Sequence, residues 1–323
     1  SPGFQCEDAT GVITAKDLGE ELRARVRGRV LTHEAMARHT SFQIGGPADL
    51  LVIPEDLDDL KAALAFARFE HLPVLILGSG SNTLVRDGGI RGMVILPSAL
   101  QELARQGTEV TAGAGVRVSR LLAYCSKLGL TGLEVLSGVP GTVGGAVWGN
   151  AGAWGGSVAD CLARVQVVTQ EGEDLVLARG AVPFAYRHSG LPQGSVVVSA
   201  TFALAPGDPT AIRQQISRWL LRRNATQPVE FRSAGSIFKN PPGDYAGRLV
   251  EIAGVKGARI GQAIISEKHG NFFVNLGGAT AADVLALIAL ARERVRATSG
   301  IDLELEIRVV GEDQKAFDRS IVR

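Results

Sequence analysis

The sequence predicts an α+β protein of more than one domain, and three observations carry that expectation. A strand, helix and strand follow one another between residues 39 and 77. Three strand-like segments, Ala163–Thr169, Asp174–Ala178 and Ser195–Ala205, lie close enough to form a mainly antiparallel sheet. Two segments with 3.6-residue apolar spacing, Thr210–Arg223 and Ala281–Thr298, read as helices, each followed by strand-like sequence. At 323 residues the chain has room for two or three cores.

In chain order, residues 1–28 are polar and weakly patterned, with a short helix around Lys16–Arg25, and read as a mobile arm or a docking segment. The run HTSFQIGGPADLLVIP from His39 alternates and then turns apolar, as a strand does. Asp56 is placed to cap a helix whose apolar face is Leu57, Leu60, Leu64 and Ala67. Leu72–Leu77 reads as a buried strand that opens onto Gly78-Ser79-Gly80-Ser81-Asn82, and the residues beyond are punctuated like a hairpin at Gly88-Gly89. A further strand and turn, TEVTAGAGVRV, precede a helix from Ser119 to Leu128 with Leu121, Leu122 and Cys125 facing inward. A second glycine-rich run spans Ser137–Gly156, and PGDP at 206–209 reads as a linker. The expected division is an arm over 1–28, units over 29–100 and 101–206, and a C-terminal α+β domain over 207–323.

The formal net charge of +1 argues against a general nucleic-acid binder or a membrane-surface binder, which points to a small-molecule partner, and no obligatory protein partner is evident. Cys6, Cys125 and Cys161 are far apart with no CxxC pair, so neither a disulfide scaffold nor a cysteine metal site is expected, and a reduced, cytoplasmic compartment fits. The histidines His33, His39, His71, His188 and His269 show no ligand spacing, so no metal is expected. No apolar run approaches the ~20 residues of a membrane span.

The two glycine-rich loops are the strongest chemical signal, since such loops expose backbone N–H groups that cradle phosphates, although glycines can equally do no more than turn the chain. No helix opens after Gly78–Asn82, and no Gly-Lys-Ser/Thr follows, so neither the Rossmann fingerprint nor a P-loop applies. In Arg232–Pro241, Gly235 introduces Ser236, Lys239 and Asn240, a hydroxyl, a cation and an amide suited to an anionic, hydroxyl-rich ligand. No GxSxG elbow surrounds Ser236, which argues against a serine hydrolase. Ile301–Val310 alternates strictly, placing Leu303, Leu305, Ile307 and Val309 on one strand face and Glu304, Glu306 and Arg308 on the other. A carboxylate beside a guanidinium can polarise a substrate carboxylate or carry a proton, and it can also be a solvated strand face. Tyr186-Arg187-His188-Ser189 is a further polar cluster in apolar surroundings.

Seven segments in order, HTSFQIGGPADLLV, LGSGSNTLVRDGGIRGMVI, GVPGTVGGAVWGNAGAWG, YRHS, SAGSIFKNP, SEKHGNFFVN and ELEIRVVG, resemble the UDP-N-acetylenolpyruvoylglucosamine reductase family, flavoenzymes of bacterial cell-wall precursor synthesis. The resemblance implies a two-subdomain FAD-binding fold of the p-cresol methylhydroxylase type plus a C-terminal α+β substrate domain. It implies FAD, held non-covalently, with its diphosphate at Gly78, Ser79, Gly80, Ser81 and Asn82 and at Ser137, Gly138, Pro140, Gly141, Thr142, Gly144 and Gly145. Thr40, Ser41, Asn150 and Gly152 would line the same cofactor. NADPH would be the hydride donor and UDP-N-acetylglucosamine enolpyruvate the acceptor. By the same resemblance Arg187 and Glu306 stabilise charge developing on the substrate, Ser236 donates a proton to C2 with help from Lys239 or water, and Tyr186, Lys239, Asn240 and Arg308 contact the substrate. The link Pro192-Gln193-Gly194 is too short for the inserted loop of the longer subclass, so the chain resembles the shorter, second type. Leu305 stands where a proline is frequent in the family, and Phe231-Arg232 is an unusual lead into Ser-Ala-Gly-Ser. An oxidase of the same fold and a non-catalytic nucleotide-sugar binder are the rival readings.

Overall fold

The computed structural model describes residues 14–314; Cys6 and the first part of the expected arm lie outside them. Thr14 and Asp17 form a capping box for α1 (Ala15–Arg23). Leu22, on that helix, and Val26, just beyond it, are buried against Leu50 and Val52, so this part of the arm is docked. β1 (Arg29–Ala35) pairs antiparallel with β2 (Pro47–Ile53). The strand expected from His39 therefore begins only at Pro47. Gln43 and Gly45 adopt positive φ, +54° and +144°, and that backbone cannot carry a ladder. α2 (Leu57–Phe69) starts at Asp56, whose carboxylate accepts the Asp59 N–H, and it buries Leu60, Leu64 and Ala67 as its spacing predicts.

The chain then runs through β3 (Val74–Ile76), β4 (Thr83–Val85) and β5 (Ile90–Ile95). β5 lies parallel to and between β2 and β3, giving the order β1, β2, β5, β3. Of Leu72–Leu77 only Val74–Ile76 is strand, half-buried at the sheet edge, while Leu77 is buried. Asp59 ties the unit together: its buried carboxylate accepts N–H bonds from Arg27 (2.7 Å), Gly28 (2.8 Å) and Glu55 (2.9 Å). Asp59→Ala strands all three donors, and a loss on the order of 3 kcal/mol is expected, read from the urea midpoint at unchanged m-value.

The middle unit is an antiparallel sheet of β6 (Leu103–Gln106), β7 (Glu109–Gly113), β8 (Leu162–Val168), β9 (Asp174–Ala178) and β10 (Val196–Ala203), in the order β9, β8, β10, β7, β6. α3 (Val118–Lys127) buries Leu121, Leu122 and Cys125 against it, and α4 (Val143–Trp148) grows out of the second glycine run. Burial pushes the Cys125 and Cys161 thiols up to about 12, which keeps both protonated and inert. PGDP is no free linker. The Gly207 N–H bonds to the Gly129 carbonyl, and Asp208 caps α5 (Pro209–Thr226). Ile216 of α5 packs on the core of the middle unit, and Trp219 stacks on Trp154 at 4.5 Å.

Beyond α5, α6 (Ala246–Ile252), β11 (Arg259–Ile260), β12 (Ala263–Ile265), β13 (Phe273–Asn275) and α7 (Ala281–Ser299) enclose a core around Phe238, Phe273, Leu249 and Leu287. Phe42, Ile44 and Leu84 from the N-terminal unit belong to this same core. The Asp87 carboxylate accepts the Ala281 and Ala282 N–H groups at 2.8 and 2.9 Å and so caps α7 from the N-terminal unit. Ile301–Val310 is not one strand. Leu305 bridges Phe238, and the chain then changes partner, so that only β14 (Arg308–Val310) forms a ladder, parallel to β4. No described helix is long and apolar enough to cross a membrane, and no three His, Cys, Asp or Glu side chains among the described residues are grouped to hold a metal.

Candidate active site

The two glycine loops face each other. Gly80 (φ +61°) makes the bend between β3 and β4, where a Cβ would lie 2.4 Å from the His39 carbonyl oxygen and 2.7 Å from Thr40 Cα. That close approach seats Thr40 and Ser41 on the loop, and Ser41 donates to the Gly80 carbonyl from its backbone N–H (3.2 Å) and its Oγ (3.3 Å). On the opposing loop Gly141 (φ +110°) leaves room that a Cβ would close, 2.8 Å from Ser81 Oγ and 3.3 Å from Ser79 Oγ. Ser81 Oγ reaches the Pro140 carbonyl at 3.4 Å, and Thr142 Oγ1 faces Gly78. Ser79 Oγ is buried with no hydrogen-bond partner. A buried hydroxyl between two such loops calls for a ligand oxygen, and together they fit the diphosphate of a cofactor such as FAD.

Several of the expected cofactor residues also have polar groups engaged within the protein. Ser137 is fully buried, its Oγ donating to the Glu134 carbonyl and its own carbonyl accepting from Trp154 Nε1. Gly138 lies under the Arg223 side chain. That guanidinium, on the solvated-looking α5 pattern, is held below its usual range by burial. The Gly144 N–H is taken by the Ala114 carbonyl, and Thr40 Oγ1 by the Ile44 carbonyl. Asn150 spends both ends of its amide on backbone, and the Gly152 carbonyl accepts from Arg187. These residues shape the loops.

The catalytic candidates converge beside the first loop. Arg187 sits at φ +54° in a two-residue turn closed by reciprocal bonds between Ala185 and His188. Its Nε donates to Glu306 Oε1 at 2.7 Å, and its Nη1 to the Gly152 carbonyl at 3.1 Å. Both side chains are largely buried, 28% and 15% exposed, so the pair is shielded from water. Burial pushes the Glu306 carboxyl up from its usual range, against the opposing pull of Arg187 and, more weakly, Lys239. The cation beside Glu306 is thus Arg187 from the middle unit and not Arg308, which the strand pattern had paired with it. Arg308 is exposed, with its backbone N–H on the Asn82 carbonyl.

Ser236 lies on the segment alongside: the Glu306 N–H bonds to the Ile237 carbonyl, Phe238 bridges Leu305, and Asn82 Nδ2 donates to the Glu306 carbonyl. Among the described residues nothing hydrogen-bonds Ser236 Oγ. The neighbouring Asn271, missed in the sequence, holds Phe238 at both its N–H and its carbonyl (2.8 Å each) and so fixes the segment carrying Ser236. A buried asparagine in the apolar run after His269 was the available signal. Lys239 Nζ donates to Glu304 at 3.4 Å in an exposed pair, and its charge is also felt by Glu306. Asn240 Oδ1 accepts the Ala246 N–H, and Tyr186 is exposed, with the Arg187 guanidinium 5.1 Å from its ring centre.

Two family models match the chain: an FAD binding domain over residues 48–178, and the C-terminal domain of UDP-N-acetylenolpyruvoylglucosamine reductase over 227–310. UDP-N-acetylenolpyruvoylglucosamine reductase of Moorella thermoacetica is 48% identical over 295 residues, covering 91% of this chain and 98% of that protein. The protein of the same name from Geobacter metallireducens is 47% identical, covering 92% and 99%. The crystal structure of the Thermus caldophilus reductase matches with a TM-score of 0.76 at 38% identity, over 88% of this chain and 98% of that one. The first model contains both facing glycine loops and the second contains Ser236 and Glu306, so with relatives matched along nearly their whole length, this chain belongs to the UDP-N-acetylenolpyruvoylglucosamine reductase family.

Proposed function

We propose that the chain reduces the enolpyruvyl group of UDP-N-acetylglucosamine enolpyruvate, giving UDP-N-acetylmuramate, in the cytoplasm. The observation that supports this best is the shielded Arg187–Glu306 pair, held at 2.7 Å beside two facing glycine loops. Gly78–Asn82 and Pro140–Thr142 would hold FAD, which when bound would supply hydride transfer from NADPH to C3 of the enolpyruvyl group. The chain's own residues manage the charge and the proton. Arg187 carries the cation that balances negative charge growing at C2 and on the substrate carboxylate. Glu306 orients that guanidinium and, with its raised proton affinity, holds a proton more readily than an exposed glutamate. Ser236 donates the proton that completes C2, and Tyr186, Lys239, Asn240 and Arg308 face the remainder of the substrate. In this reading residues 29–100 and 101–206 hold the cofactor, 207–323 the substrate, and α5 braces the second loop.

The purified protein should be yellow, and acid precipitation should release intact FAD into the supernatant. NADPH should bleach it anaerobically, and the enolpyruvyl substrate should restore the colour. Reoxidation by oxygen alone, with the substrate making no difference, would remove the reading. Gly141→Asp places a charged side chain against Ser79 and Ser81 at a backbone angle that glycine favours, and it should leave the protein nearly colourless.

A further inference from the structure

Asn150 occupies the left-handed region (φ +43°), is 6% exposed, and sits just past the C-terminal end of α4. Its Nδ2 donates to the Ala185 carbonyl at 2.9 Å and its Oδ1 accepts the Ala159 N–H at 3.1 Å. Ala185 closes the turn that carries Arg187, and the same carbonyl also accepts the His188 N–H. On the other side of the turn Ser189 Oγ donates to the Trp148 carbonyl at 2.6 Å. A non-glycine residue at positive φ costs about 1–3 kcal/mol and persists only where its surroundings over-determine it. Arg187 has such surroundings: two side-chain clamps, from residues 150 and 189, join its turn to the end of α4, whose N-cap is Thr142.

We infer that Asn150 is a positioning residue for Arg187, clamping the Ala185–His188 turn so that the guanidinium reaches Glu306, and is not a contact of the cofactor. One Nδ2 hydrogen and one Oδ1 lone pair are committed to backbone groups on two different segments, in bonds that are part-buried and buried, so the amide's orientation is set by the protein. The inference rests on the charge-balancing role given above to Arg187. It also makes α4 a mechanical link, with the second glycine loop at one end and the Arg187 turn at the other.

The test is a double-mutant cycle in stopped flow, with bound FAD counted separately. Asn150→Gly removes the amide while glycine accepts φ +43° without strain. Asn150→Asp keeps the acceptor for Ala159 but loses the donor to Ala185. Both should keep one FAD per chain and parental reduction by NADPH, while reoxidation by the enolpyruvyl substrate slows by about 10-fold to 100-fold, the worth of a misplaced group. In an Arg187→Ala background the same changes should cost less than about 3-fold, because the group they position is gone. Loss of FAD, slowed reduction, or an equal cost in both backgrounds overturns the inference. If Arg187→Ala itself reoxidises at the parental rate, the role assigned to Arg187 falls and the inference falls with it. Should Asn150→Gly fail to fold, Ser189→Ala enters the cycle with the same expectations.

Discussion

Ser236→Ala should reduce turnover of the enolpyruvyl substrate by about 10² to 10⁴, the usual worth of a positioned acid, while FAD content and bleaching by NADPH stay near parental. The substitution is structurally mild. The backbone at 236 is fixed by its bridge to Phe272 and by the Ile237 bonds to Asn271 and Glu306, and among the described residues Oγ makes no hydrogen bond that would be lost. An alcohol is a weak acid and must be recharged. Lys239, three residues along the same segment, or a water is the expected source of that proton. Ser236→Cys should keep part of the rate because a thiol still donates. Heavy water should label C2 in the parent reaction, which locates the protonation without naming the donor. A pre-steady-state trace of the alanine variant that shows parental reoxidation and product yield would make Ser236 structural.

Arg187→Ala and Glu306→Gln should each slow reoxidation by substrate by about 10² to 10³, the range for removing one preorganised electrostatic partner, with the reductive half-reaction spared. The two variants separate charge from geometry. Glutamine retains an oxygen for Arg187 Nε but no charge or exchangeable carboxyl proton. Alanine at 187 removes the cation and leaves Glu306 buried without its nearest counter-charge. The sign of the pH effect follows. Arg187 favours the ionised carboxylate, so without it Glu306 keeps its proton to higher pH, and the limb of the pH–rate profile that Glu306 controls should move to the alkaline side. A limb that stays in place in Arg187→Ala, measured on the reoxidation step, would mean that Glu306 does not govern it.

Local signals were legible wherever neighbours in sequence decide the outcome. Asp56 capping α2, the inward Leu121, Leu122 and Cys125 of α3, and the antiparallel group β8, β9 and β10 are all readable from spacing and caps. What failed depended on distant partners. Leu72–Leu77 reads as a buried strand, yet the exposure of Val74–Ile76 is set by their place at a sheet edge. Ile301–Val310 alternates like one strand, but its two halves answer to Phe238 and to β4. Glu306 has Arg308 beside it in the pattern, whereas its true partner is 119 residues away in a turn whose backbone angle no pattern predicts. The glycine loops were recognisable as loops, but which residues face the ligand space and which face the scaffold was not: Ser79 and Asn150 look equally polar, and only packing leaves one hydroxyl free and both ends of the other's amide occupied.

The core shared between Phe42, Ile44, Leu84 and residues 234–307 bears on how the chain is made. During translation those three apolar side chains leave the ribosome roughly 220 to 265 residues ahead of Ile307, an interval of about 11–53 s at ordinary elongation rates. The first of their partners, Ala234, follows Leu84 by 150 residues, so the nascent chain carries these side chains without that core until its C-terminal third is made. A polypeptide stopped before Leu303 would lack β14, the Leu305 bridge and Glu306 together, and would be a target for proteolysis instead of a partial enzyme. Refolding from denaturant should likewise be slow, since the contact that completes the N-terminal unit also spans most of the chain.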